Sequence, residues 1–201
     1  TQAGTRRAVV ALDPTNGEQL WMWRMDEGKR GAGAPRQGSG RGVAYWTDGR
    51  GDERIYTVTP GYQLVALNAK TGIPIAGFGN NGVVDLKQNI DQVLDLETAP
   101  IGLNSGPVVG NNTIVVGAAH VAGGAPRTKE NVKGYIRGFD VRSGKRLWIF
   151  HTIPQPGEHG NDTWENDSWS YTGNAGNWAP ITVDEALNRV YLTIEAGTGD
   201  Y

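Results

Sequence analysis

Cysteine is absent from this 201-residue chain, which excludes disulfides, thiolate metal sites and cysteine nucleophiles within it. No apolar run approaches the roughly 18 residues that a spanning helix needs, so no transmembrane helix is expected. The start, Thr1-Gln2-Ala3-Gly4, lacks the charged and then apolar regions of a secretory leader. A mature exported protein would lack them too, so the compartment stays open on this ground. Net charge is only −2, which argues against a general polyanion binder. Histidine is scarce, and His120, His151 and His159 lack metal-ligand spacing.

Glycine and the large rings are plentiful instead. The 30 glycines and 10 prolines stay below the range of low-complexity disorder, while 7 tryptophans and 7 tyrosines say that large rings are being packed. Many short strands with tight turns use both kinds of residue. Charge is locally uneven: Arg24, Lys29, Arg30, Arg36, Arg41, Arg50 and Arg54 crowd one glycine-rich region. That stretch is either a solvated loop or a place where one or two arginines receive an anionic ligand.

A hairpin recurs three times. Its copies run Val9–Trp21, Leu64–Gly72 and Tyr135–Trp148, with Asp13, Asn68 or Asp140 followed four residues later by Gly17, Gly72 or Gly144. Eight residues after the Asp or Asn stand Trp21, Ala76 and Trp148. The Asp or Asn side chain can bond the turn backbone. The glycine provides the positive φ of a bulged hairpin. The ring then falls on a fixed face, suited to wedge between neighbouring units; Trp21 and Trp148 are structural on this reading. Ala76 breaks the pattern, so its unit should dock less tightly there.

Between copies the spacing accommodates four short strands per unit, as in a propeller blade. Strands are expected at Arg7–Leu12 and Gln19–Arg24; at Gly42–Trp46, Arg54–Thr59, Gln63–Leu67 and Ile73–Phe78; at Pro107–Gly110, Thr113–Ala118, Gly134–Phe139 and Arg146–His151; and at Ala179–Val183 and Arg189–Ile194. The chain divides into a half blade 1–40, blades 41–103 and 104–160, and a partial blade 161–201. A sandwich also has many short strands, but fixed internal spacing favours radial repetition. Three and a fraction blades do not close a ring, so the chain reads as a segment of a longer all-β protein.

Two stretches look too specific for scaffold: Ser39–Trp46, leading into a first strand, and Thr163–Trp169, continuing to Gly176-Asn177-Trp178-Ala179-Pro180 before another. In a propeller the first strand of each blade lines the axis, so residues just before it face the mouth of the ring. Trp164 and Trp169 read as structural. The sequons at Asn111, Asn161 and Asn166 report only exposed loops.

At these residues the sequence resembles the pyrroloquinoline-quinone (PQQ) dependent dehydrogenases, the quinoprotein alcohol and membrane-type glucose dehydrogenases. The resemblance covers essentially the whole chain. It rests on the hairpin repeat, on Arg41-Gly42-Val43-Ala44-Tyr45-Trp46 and on Asn177-Trp178. It implies an eight-bladed propeller with PQQ on the axis and usually Ca²⁺ beside it. Arg41 matches the arginine that pairs with a PQQ carboxylate, and Trp178 the tryptophan that stacks under the quinone ring. Glu130 falls near the calcium-ligating glutamate and counts as both cofactor and metal candidate. Asn104 stands where a cofactor-contacting threonine is frequent.

The departures are Pro35 and Arg36, where the alcohol dehydrogenases carry adjacent cysteines, and Ala196, where they carry a calcium-ligating Asn. The first points toward sugar or polyol substrates. The resemblance puts the catalytic Asp beyond Tyr201. It implies oxidation of an alcohol, polyol or sugar hydroxyl, with electrons leaving to a cytochrome c or ubiquinone in a periplasmic setting. The rival readings are a non-catalytic scaffold of the same repeat and a sugar-binding propeller without redox chemistry.

Overall fold

The computed structural model describes residues 8–36, 42–121 and 130–198. Twelve strands among them form two hairpins and two four-stranded sheets, all antiparallel. β1 (Ala8–Leu12) pairs with β2 (Gln19–Arg24). The next sheet runs β3 (Ala44–Thr47), β4 (Glu53–Val58), β5 (Gln63–Asn68) and β6 (Val83–Asp85) in chain order. The third runs β7 (Val108–Gly110), β8 (Thr113–Val116), β9 (Ile136–Asp140) and β10 (Arg146–Phe150). The last hairpin is β11 (Thr182–Asp184) with β12 (Arg189–Tyr191). The first strands β3, β7 and β11 lie side by side, with β7 against both others, which is the arrangement of successive propeller blades.

The repeat turns form as their residues dictate. Asp13, Asn68 and Asp140 each accept backbone N–H groups of their own turn, at 2.8 Å from Thr15, 3.0 Å from Lys70 and 2.7 Å from Ser143. The glycines follow with φ of 75°, 71° and 72° at Gly17, Gly72 and Gly144. Trp21 lies over the next unit's turn: its indole N–H donates to Ala69 O at 3.0 Å, and its ring occupies the space a side chain on Gly72 would need. Trp148 instead covers Gly138 of its own sheet.

The second sheet departs from expectation at its outer strand. Pro74 has no N–H to donate, and only Ile73–Ile75 touches β5, through Asn68 N–H to Ile73 O at 2.8 Å and Ile75 N–H to Ala66 O at 2.9 Å. The chain then swings out over 76–82 and returns as β6, which pairs with the other half of β5. Ala76 is exposed, but the excursion turns Phe78 inward to full burial. Its ring reaches Gly144 in the following turn, where Gly79 N–H donates to Ser143 O at 2.9 Å. The missing tryptophan therefore does not leave this unit loosely docked. At the last hairpin, pairing starts only after Pro180, so β11 and β12 are shorter than expected.

The main core lies between the two full sheets, around Tyr56, Phe78, Ile114, Val116, Phe139 and Val141. A second cluster, Val115, Ile136 and Ile181, joins the third sheet to the last hairpin. The arginine-rich stretch is more structured than a solvated loop. It contains a short helix, α1 (Gly28–Ala32), and two of its arginines are staples. Arg30 grips Asp85 through both guanidinium nitrogens at 2.8 and 2.5 Å. Arg54, 8% exposed, bonds Asp52 and the carbonyls of Val141 and Arg142 across the sheet interface. These two are not available to an external anion.

Candidate functional site

Antiparallel order decides which residues share an end. Val108 faces Val115, Gly110 faces Thr113, and Thr113 faces Asp140. The repeat turns therefore sit at one end of the sheets. The segments leading into β3, β7 and β11, and those following β8 and β12, sit at the other. At that second end Gly42 approaches Gly106, and the Asn104 amide donates to Trp178 O at 3.4 Å. Asn104 and Trp178 are thus brought together by the lead-ins of two neighbouring axial strands. Arg41 lies outside the described residues.

Short segments interlock beneath Trp178. Gly134 N–H donates to Asn174 O at 2.7 Å, Glu195 N–H to Gly176 O at 3.0 Å, and Thr198 N–H to Gly173 O at 3.1 Å. A side chain on Gly134 would collide with the Gly176 backbone. Asn177 is fully buried and donates to Thr193 O at 2.8 Å. Trp178 next to it is 48% exposed, so an anchored residue presents an open indole face. Glu130 pairs by a β-bridge with Thr172 and is exposed. Lys133 donates from Nζ to Ser170 O at 3.1 Å and Thr172 O at 2.9 Å. Burial lowers the pKa of that ammonium. The carbonyls it holds lie at and just beyond the end of the 3-10 turn Glu165–Ser170, which contains Trp169.

Among the buried polar atoms at this end without a hydrogen-bond partner are Ser105 Oγ, His120 Nε2 and Asn177 Oδ1. His120, 2% exposed, is held through Nδ1 by Glu195 Oε1 at 3.2 Å. Neither residue stands out in the sequence. They are 75 positions apart, and a lone histidine closing the apolar run Val115–Ala119 reads as core.

Comparison with known proteins agrees with the propeller fold. The family model of the PQQ type, "Glucose/ethanol/alcohol dehydrogenase, beta-propeller domain", matches residues 1–201. The chain belongs to that family. The glycerol dehydrogenase large subunit of Gluconobacter oxydans (strain 621H) is 31% identical over 96% of this chain and 25% of its own length. Quinoprotein glucose dehydrogenase A of Acinetobacter calcoaceticus is 28% identical over the same shares. The quinohaemoprotein alcohol dehydrogenase ADHIIG of Pseudomonas putida HK5 superposes with a TM-score of 0.68 at 25% identity, over 95% of this chain and 26% of its own. The chain thus spans about a quarter of the length of these relatives.

The residues of this end fit a planar, polyanionic quinone in kind. An open indole offers a stacking face, and unpartnered buried polar atoms favour a polar ligand. They do not by themselves make a calcium site. Ca²⁺ takes about 6–8 oxygen ligands, and among the described residues no group of three acidic or histidine side chains is placed to hold a metal ion.

Proposed function

We propose that this chain forms part of the cofactor-binding end of a PQQ-dependent dehydrogenase that oxidises an alcohol, polyol or sugar hydroxyl. The observation that carries the reading is Trp178: a half-exposed indole on a buried, anchored segment, at the axial end, bonded to Asn104. When bound, PQQ would supply the two-electron acceptor chemistry. The chain's own residues would orient the ring, with Trp178 as its stacking face, Arg41 as a carboxylate partner and Asn104 fixing the Trp178 backbone. Glu130 is our candidate for a Ca²⁺ ligand, its other ligands coming from elsewhere in the protein. The base that takes the hydroxyl proton is an Asp in a later blade. Electrons leave to cytochrome c or ubiquinone in the periplasm.

The names of the relatives support the substrate class, which includes glycerol, glucose and alcohols. The test is titration of the full-length apoprotein with PQQ and Ca²⁺, followed by tryptophan fluorescence. Binding should weaken strongly in the Arg41→Ala, Trp178→Ala double variant. Wild type that binds no better than this variant refutes the assignment.

A further inference from the structure

His120 is a buried imidazole at this end of the sheets. It follows β8, and its ring lies beneath the junction of Gly134 and Gly176: a Cβ on Gly134 would stand 2.9 Å from His120 Cε1. Gly176 in turn is two residues before Trp178, and its carbonyl is bound by Glu195 N–H at 3.0 Å. The Glu195 carboxylate, 22% exposed, takes the other ring nitrogen at 3.2 Å. A carboxylate on Nδ1 fixes the orientation of the ring and assigns Nε2 to whatever lies on its far side. Yet Nε2 is buried and without a protein partner. A buried polar atom left unpaired costs about 1–3 kcal/mol, and such atoms call for an explanation by ligand or function. The unpaired Asn177 Oδ1 belongs to the segment packed beside Gly117, three residues before this histidine.

We propose that His120, oriented by Glu195, is a further cofactor-binding residue, its Nε2 making a polar contact to the quinone held over Trp178. This rests on the cofactor reading above. Gly134 and Gly176 lack side chains because the imidazole and the crossing backbones fill that space.

The test compares three substitutions in the full-length apoprotein by the PQQ dissociation constant, read from tryptophan quenching, and by the Tm of the cofactor-free form. Asn places its amide near Nδ1, Gln reaches the Nε2 position, and Phe fills the ring volume with no polar atom. Loss of one hydrogen bond predicts about five- to tenfold weaker binding for His120→Phe and His120→Asn. His120→Gln should stay within about threefold of wild type. If Asn binds as well as Gln, or if all three lower Tm while leaving the dissociation constant unchanged, the proposal is overturned and His120 is a packing residue. Wild type that fails to bind PQQ at all defeats the cofactor reading itself, a distinct outcome.

Discussion

Phe78 offers the most direct check on how the sheets are joined. It replaces a docking tryptophan from two positions further along the chain, is fully buried, and meets Tyr56 at 5.8 Å between ring centroids. A phenylalanine buries about 150–250 Å². At about 25 cal/mol per Å² that corresponds to roughly 4–6 kcal/mol for the whole side chain. Alanine retains part of it, and Phe→Ala in cores costs about 3–5 kcal/mol. Phe78→Ala should therefore lower unfolding free energy by about 4 kcal/mol, while Phe78→Leu, closer in volume, should cost less than about 1.5 kcal/mol. Ala76→Trp should not stabilise, because residue 76 is exposed and its place over the Gly144 turn is taken. Urea unfolding at unchanged m value reads all three. A Phe78→Ala cost below about 1 kcal/mol, together with a stabilising Ala76→Trp, would refute the substitution of one ring for the other.

The segment leading to the site is tied down by carboxylates around His151. Its Nδ1 meets Glu158 Oε1 at 2.7 Å, its Nε2 faces Asp91 Oδ2 at 3.4 Å, and Arg146 bonds Asp91 at 2.8 Å. The Gln155 N–H and then the imidazole lower the Glu158 pKa, and at Asp91 burial is outweighed by Arg146 and His151. Depressed folded values mean stability that is present above the unfolded carboxyl pKa, about 4, and lost as pH falls through the lower folded values. Acid titration of unfolding free energy should show that loss, and Glu158→Gln should flatten it; an unchanged slope would remove the clamp. Two glycines separate stability from binding. Gly72→Ala, strained by its φ of 71° and by the Trp21 ring 2.6 Å away, should lower Tm and leave PQQ affinity intact. Gly176→Ala, colliding with the Ala118 carbonyl, should displace Trp178 and weaken PQQ binding; equal effects on affinity would contradict the division.

The hairpin repeat was legible because its cause is local. An Asp or Asn bonds N–H groups two or three residues on, and a glycine adopts a φ that few side chains tolerate. The split outer strand was not, since Pro74 interrupts pairing only when β5 is beside it, and Phe78 is drawn inward by a turn that lies more than 60 residues away. The same holds for charge. Arg30 reads as a surface cation until Asp85, 55 positions later, closes on it. At the site, Trp178 could be singled out because its position before an axial strand and off the repeat is a sequence property. The His120–Glu195 pair depends on two strand ends meeting, and no spacing signals that.

An even number of antiparallel strands per blade has a consequence for how such a protein varies. The repeat turn must always fall at the end opposite the strand lead-ins, so its length is constrained by docking onto the neighbouring sheet. At the other end the connections also touch their neighbours, as Gly134 N–H does Asn174 O at 2.7 Å, but their lengths differ between sheets. The link between the second and third strands is 59–62 in one sheet and 117–135 in the next, and that longer link carries His120, Glu130 and Lys133. Loops free to lengthen on a rigid scaffold are where binding residues gather. The turn end therefore determines how the sheets stack, and on the proposed reading the end with variable links determines what they hold.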